Sequence, residues 1–274
     1  MPYCPLPESP HGGGRLYFEE RGQQRGRGSA NPLLFVAGLS GLGSFWSAQL
    51  EAFAATRRVI TFDHRGTGQS THSAIRYSIA QMADDACDLL DHLGIERVDY
   101  VGHSTGGAIG QHLAVHAPAR IGNLVLSATW PRADAYFRRV FDVRKAELEA
   151  RGVRDYSRLG NLLLYSPYYY AANAAALDAR LENSLAGLAP VPILVSRIDA
   201  ILAFDGWDAL PSITQRTLVV CARDDMITPA YFSEQLAAQL ANATLALLDR
   251  GGHFCPVAEA AEYNRIVQAF LRGA

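Results

Sequence analysis

The sequence predicts an α/β fold: a doubly wound, mostly parallel sheet with a helical cap inserted after its sixth strand. Three observations carry that prediction. Short apolar runs of strand length alternate with amphipathic segments along most of the chain, the order expected of βαβ units. Several of these runs are apolar nearly throughout, as parallel strands buried on both faces are. Between about Pro131 and Pro211 the alternation stops and only helical patterns appear. The expected division is a core over 1–131 and 211–274 and a cap over 132–210.

Taken in order, RLYFEERG near the N-terminus reads as an antiparallel edge strand, and GQQRGRG after it as a hairpin turn. LLFVA (33–37), VITFD (59–63), DYVGH (99–103) and LVLSA (124–128) read as strands ahead of the cap. TLVVCA (217–222) and TLALL (244–248) read as strands after it. The clearest helix follows Ser78. Ser78 and Gln81 have capping-box spacing, Met82, Ala86, Leu89, Leu90 and Leu93 recur at helical intervals, and Gly94 closes the segment. In the cap, 133–151, 174–188 and 192–204 carry helical patterns, and LLLYSPYYYAAN is dense in tyrosine.

Of 274 residues, 49% are hydrophobic and 19% charged, enough to bury a sizeable core. A net charge of −2 supplies no basic field for nucleic acid or an anionic membrane. No apolar run is long enough for a transmembrane helix, and MPYCPLPESP has neither the basic nor the apolar region of a signal peptide. Cys4, Cys87, Cys221 and Cys255 are scattered without paired spacing. A reduced, cytoplasmic protein is expected. It should act on a small molecule, with no nucleic-acid or membrane partner. A homodimer is suggested only by how common dimers are among soluble enzymes. His112 and His116 have helical spacing but lack the intervening glutamate of a metalloprotease helix. The glycine clusters lack a P-loop lysine. No metal and no cofactor are expected.

The stretch VDYVGHSTGGAIG (98–110) runs from a strand through a serine between glycines into a helix. Ser104 there reads either as a helix cap or as a nucleophile raised on a tight strand-to-helix turn, the G-x-S-x-G arrangement. A nucleophilic serine needs a base, and the base an orienting acid. Two loops downstream supply them in the order acid, then histidine. ARDDMITP follows the strand 217–222, and DRGGHF follows the strand 244–248. Asp225 is preferred as the acid over Asp224, and His253 is the base. An oxyanion hole would use the backbone amide of Thr105, next after the nucleophile, and a second amide from the loop Gly38-Leu39-Ser40-Gly41, for which Leu39 is the candidate.

These segments resemble the α/β-hydrolase superfamily over nearly the whole chain. Besides the elbow, Asp63-His64-Arg65-Gly66-Thr67-Gly68-Gln69-Ser70 is similar to the family's D-x-R-G-x-G-x-S segment. Asp225 to Pro229 resembles its acid-bearing D-x-x-x-P segment, and Gly252-His253 its histidine motif. Ala37-Gly38 departs from the family's usual His-Gly. Within the superfamily, Trp130, FRRVFDVRKAELEARG, LLLYSPYYYAAN, CARDDMITP and GGHFCPVAEAAEYN look like the aminoacrylate hydrolases of pyrimidine utilisation, and next like the 3-oxoadipate enol-lactonases. The resemblance implies a cofactor-free hydrolase of small enamine, amide or carbamate-like acids. A carboxylate substrate would want a guanidinium in the pocket. Arg132, Arg138, Arg139 and Arg144 are available, and Arg138 is taken as the candidate. Gly38 and Trp130 are the other candidate pocket residues.

Overall fold

The computed structural model describes residues 2–8, 12–22 and 30–273. The turn expected in GQQRGRG lies, from Gln23 onward, outside these residues. The chain builds β1 (Tyr3–Leu6), β2 (Gly14–Arg21), β3 (Leu33–Val36), β4 (Val59–Phe62), β5 (Val98–His103), β6 (Ile121–Ser127), β7 (Thr217–Ala222) and β8 (Ala243–Leu248). They form one sheet in the order β1-β2-β4-β3-β5-β6-β7-β8. From β4 to β8 every pairing is parallel, while β1 on β2 and β2 on β4 are antiparallel. The continuous apolar runs behave as their composition predicts: β3, β4, β5 and β7 are buried at every position.

One expectation needs correction. RLYFEERG is an antiparallel strand but not the edge, because β1 pairs outside it with Tyr3 opposite Tyr17. Four residues that include Pro5 show no strand pattern, yet an edge tolerates proline because one side of its ladder is open. This strand completes the six that precede the cap.

The connecting helices are α1 (Ser47–Ala54), α2 (Ile79–His92) and α3 (Thr105–His116) before the cap, and α7 (Ala230–Gln239), α8 (Cys255–Ala258) and α9 (Ala260–Arg272) after it. The cap contributes α4 (Ala135–Leu164), α5 (Pro167–Ser184) and α6 (Val191–Ala203). Helix α2 starts as its sequence predicts, the Gln81 amide donating to Ser78 Oγ at 3.0 Å. Helix α4 runs past the expected end at 151, but Gly152 breaks it with φ 80° and ψ −174°. The break folds the helix back. Residues 144 and 156 would be about 18 Å apart along a straight helix, yet Arg144 Nη2 reaches Tyr156 Oη at 3.0 Å. Among the described residues no single helix is long and apolar enough to cross a membrane.

The strand order reverses between β3 and β5. Chain from β3 continues to its neighbour β4 on one side, and β5 then lands on the other. Open α/β sheets bind ligands in the crevice beyond the carboxyl ends of strands at such a switch point. The loops after β3, β5, β7 and β8 all leave the sheet at that edge.

Candidate active site

Ser104 sits between the end of β5 and the first residue of α3, with φ 54° and ψ −116°. Such a conformation costs of order 1–3 kcal/mol and persists only where its surroundings over-determine it. Here they do. The Ser104 amide donates to Ser127 O at 2.8 Å, and the Ser104 carbonyl accepts from Thr129 Oγ1 at 2.8 Å and from the Gly107 amide at 2.9 Å. The flanking glycines are a packing requirement. A Cβ at Gly102 would fall on the Gly106 carbonyl, and one at Gly106 on that of Val36. Gly38 also lies against the serine, since a Cβ there would stand 3.2 Å from Ser104 Cβ.

The loops after β7 and β8 bring Asp225 to His253. Asp225 Oδ2 lies 2.8 Å from His253 Nδ1, with both side chains buried. The carboxylate is held by three further donors: the amides of Ile227 and Thr228 on Oδ1 at 2.8 and 2.9 Å, and Thr228 Oγ1 on Oδ2 at 2.9 Å. A carboxylate so loaded is an acceptor fixed in place, and it leaves His253 Nε2 as the ring's outward nitrogen. Asp224 is occupied elsewhere, accepting from the Gly252 amide at 2.8 Å and so anchoring the histidine loop. Ser104 and His253 line one cavity of about 200 Å³. Among the described residues Ser104 Oγ makes no hydrogen bond, so its hydroxyl is free for a ligand. Serine–base contacts commonly tighten only once substrate is bound.

His103 lies under His253, their ring centroids 4.8 Å apart, and stacks on Phe45 at 4.8 Å. Burial, reinforced by the charge His253 would carry, pushes its pKa well below 6.5. A neutral ring is therefore the floor beneath His253.

Leu39 lines the cavity, and Thr105 follows the serine as the first residue of α3, where an amide has no partner within the helix. The loop carrying Leu39 is braced from two directions. The D-x-R-G-x-G-x-S segment supplies one: Asp63 accepts from the amides of Gly43 and Gln69, both at 2.9 Å, and the His64 amide donates to Gly41 O at 2.8 Å. Arg65 is itself locked by a buried pair with Asp85 at 2.7 Å. Arg197 of α6 supplies the other. Its Nε and Nη2 donate to Leu39 O at 3.2 and 3.0 Å, its Nη1 to Arg65 O at 3.0 Å, and its Nη2 to His64 Nδ1 at 3.1 Å. A guanidinium only donates, so His64 accepts at Nδ1. Burial and the adjacent Arg197 charge push the His64 pKa well below 6.5, and burial pulls that of Arg197 down to about 10. Sequence reading missed Arg197. An arginine inside the apolar run VPILVSRIDAILA is the signal that could have found it.

The cap forms the remaining wall, and here two expectations are corrected. Trp130 is fully buried and does not line the cavity; its ring packs on Phe137 at 4.5 Å, under the start of the cap. Arg138 is exposed and away from the cavity. The buried arginine of the pocket wall is Arg144. The reason is helical phase. Phe137, Phe141, Arg144 and Leu148 form the buried stripe of α4, and Arg138 sits one residue, or about 100°, off it. Of the tyrosines, Tyr165 lines the cavity and stacks on Tyr169 at 5.1 Å, whereas Tyr168 is exposed. The cap also touches the histidine loop directly, the Phe254 amide donating to Leu164 O at 2.8 Å.

Known proteins share the fold and much of the sequence. Residues 31–257 match the family model described as the alpha/beta hydrolase fold. The protein named "Putative carbamate hydrolase RutD" in Azorhizobium caulinodans is 37% identical, over 98% of each chain. The protein of the same name in Rhizobium rhizogenes is 38% identical, over 94% of this chain and 98% of its own. Among solved structures, the enol-lactonase of Burkholderia xenovorans LB400 superposes with a TM-score of 0.86 at 25% identity, covering 94% of this chain and 97% of its own. A hydrolase of Pseudomonas aeruginosa gives a TM-score of 0.86 at 28% identity, over 98% of each chain. The family model spans most of the chain and the relatives nearly all of it, and this chain belongs to the alpha/beta hydrolase fold family.

Proposed function

We propose that this hydrolase is a cofactor-free serine hydrolase of small carboxylate-bearing molecules, with the carbamate or amide C–N bond as its preferred target. The observation that carries the reading is the Asp225–His253 pair at 2.8 Å opening on the same cavity as Ser104. Ser104 Oγ attacks the carbonyl carbon while His253 Nε2 takes its proton. Asp225 holds the imidazole in the tautomer that leaves Nε2 free to accept. The charge that forms on the carbonyl oxygen is met by the amides of Thr105 and Leu39, and loss of one such donor costs about 3 kcal/mol. The intermediate collapses, the C–N bond breaks, and the leaving nitrogen takes the proton from His253. Water, deprotonated by the same ring, then cleaves the acyl-enzyme. In this reading the core over 1–131 and 211–274 does the chemistry, and the cap over 132–210 selects the substrate.

The C–N preference is supported by the relatives named as carbamate hydrolases, which match over nearly the whole chain. The enol-lactonase likeness supports a second reading, ester or enol-lactone cleavage by the same groups.

An organophosphonate probe adds its mass at Ser104 and fails to do so with Ser104→Ala. Labelling that survives that substitution removes Ser104 from the role. Activity falls on acidification, because imidazolium cannot act as a base. A rate constant across pH 5 to 8 contradicts His253 as that base. A panel of small carbamoyl and N-acyl acids, an enol-lactone and a simple ester separates the two substrate readings.

A further inference from the structure

Four arginines are buried among the described residues: Arg57, Arg65, Arg144 and Arg197. Three are fully answered. Arg57 pairs with Asp99 at 2.7 Å and Arg65 with Asp85 at 2.7 Å. Arg197 is spread over two carbonyl oxygens and His64 Nδ1. Arg144 differs. Its one side-chain hydrogen bond among the described residues is Nη2 to Tyr156 Oη at 3.0 Å. Its Nε is enclosed with no partner. No carboxylate lies within ion-pair distance of it among the described residues. Instead the guanidinium carbon stands 5.0 Å from the Phe141 ring and 4.8 Å from the Tyr156 ring.

A guanidinium does not deprotonate in a protein, so this is a permanent positive charge. Buried charges in folded proteins are paired or otherwise compensated, because removing them from water is costly. Two ring faces and one phenol hold the group in place but leave most of its five N–H donors unpaired and set no carboxylate opposite its charge. The site where it is left unmatched is the wall of the cavity that holds Ser104 and His253. Both points, the missing partner and the location, are geometric.

We propose that Arg144 is the anion subsite of this cavity, and that it binds the carboxylate of the substrate while the substrate's carbonyl lies at Ser104. The inference rests on the serine-hydrolase reading and deepens it. A single negative charge fits a single buried guanidinium. Arg180, the other arginine lining the cavity, is exposed and already solvated, so a phosphate near −2 would be left half-compensated. Planar carboxylate also matches the bidentate geometry of guanidinium. Size points the same way. A void of about 150 Å³ takes a benzene, so a cavity of about 200 Å³ suits a small acid. The substrate is thus a short monocarboxylate whose amide, carbamate or ester carbonyl lies a few bonds from its acid group.

The test uses two esters of equal size, methyl hydrogen succinate and its neutral amide methyl succinamate, with hydrolysis followed by gas chromatography of released methanol. The expected wild-type kcat/KM is at least tenfold higher for the anion. In Arg144→Gln the anion-to-amide ratio falls by about 30-fold or more, mostly through KM, and Arg144→Lys recovers part of it. A wild-type ratio at or below one overturns the proposal while leaving the hydrolase reading intact. If neither ester is turned over and the phosphonate does not label Ser104, the hydrolase reading fails, and the subsite is judged by binding alone. Propionate should then stabilise the wild-type protein to heat at concentrations where propionamide does not. Equal effects of the two, or tighter binding of inorganic phosphate than of propionate, overturn it. This comparison needs no variant, so a misfolded Arg144→Gln protein does not blunt it.

Discussion

The sheet edge and the cap satisfy their polar groups in different ways. At the sheet edge the carboxylates are saturated by fixed neighbours. Asp225 takes two amides, a hydroxyl and an imidazole, and Asp63 takes two amides that pin the loop beside it. Across the cavity the cap leaves Arg144 unanswered. It also carries Tyr136, Val143, Leu162 and Tyr168, four of the five exposed large hydrophobic side chains among the described residues, the fifth being Met226 beside Asp225. Reaction chemistry needs groups held within a fraction of an ångström, and saturation achieves that. Substrate choice needs a wall whose valences are completed by the ligand. The difference predicts that substitutions at the edge change how fast any substrate reacts, and those in the cap change which substrate reacts.

The largest effects should come from the edge. Ser104→Ala and His253→Ala are expected to lower kcat by about 10⁶-fold with every substrate, and Asp225→Asn by about 10⁴-fold. Single-turnover rates on two unrelated esters measure this. A loss that depends strongly on the ester would blur the division between edge and cap. Thr228→Val removes one of the four contacts to Asp225 and one from beside His253 Nδ1, and should cost about tenfold. Arg144→Gln, by contrast, should act mainly on the ratio between charged and neutral substrates.

Arg197 crosses the division, and so sharpens it. It belongs to α6 in the cap but fixes the Leu39 peptide at the edge. Arg197→Met strips a buried carbonyl of its donors and lets the Leu39–Ser40 peptide turn, which loosens the adjoining Gly38–Leu39 peptide that carries the amide. The expected result is a drop in kcat of about 10²-fold, approaching the loss of an oxyanion donor, with KM less affected. Unfolding free energy should fall by about 1–3 kcal/mol for the unsatisfied group. If KM rises and kcat holds, Arg197 shapes the pocket rather than the loop.

Sequence legibility follows the same line. Strand positions at the edge were readable because period, turn glycines and chain order constrain them jointly. Asp225 over Asp224, for instance, is favoured by the resemblance of Asp225 to Pro229 to the family's acid-bearing segment, and the structure gives the two carboxylates separate neighbours. The cap was readable as helices but not as side chains. Choosing Arg138 rather than Arg144 required the phase of α4, and that phase was already present in Phe137, Phe141 and Leu148. The fold-back at Gly152 and the reach of Arg197 over more than 150 positions to Leu39 depend on tertiary packing that no local pattern encodes. Strand β1 was hidden by its length and its proline.

The last predicted effect concerns stability, and it too separates the regions. The expected cap, 132–210, contains no histidine, whereas the edge buries His64 and His103. Burial pushes both well below 6.5 in the folded protein. The unfolded chain therefore binds more protons than the folded one once the pH drops under that value. Stability from these two rings is whole above about pH 6.5 and is lost as the pH falls, by at most about 1.4 kcal/mol per unit for each. Urea unfolding at pH 7, 6 and 5 should show that decline, and His103→Gln should remove about half of the histidine contribution. Hydrogen exchange adds the spatial test. Amides of β5 should lose protection on acidification before those of α5, because the two buried rings His64 and His103 lie at the sheet edge. Loss in α5 first would mean that the cap, and not the edge, is the acid-labile part of the molecule.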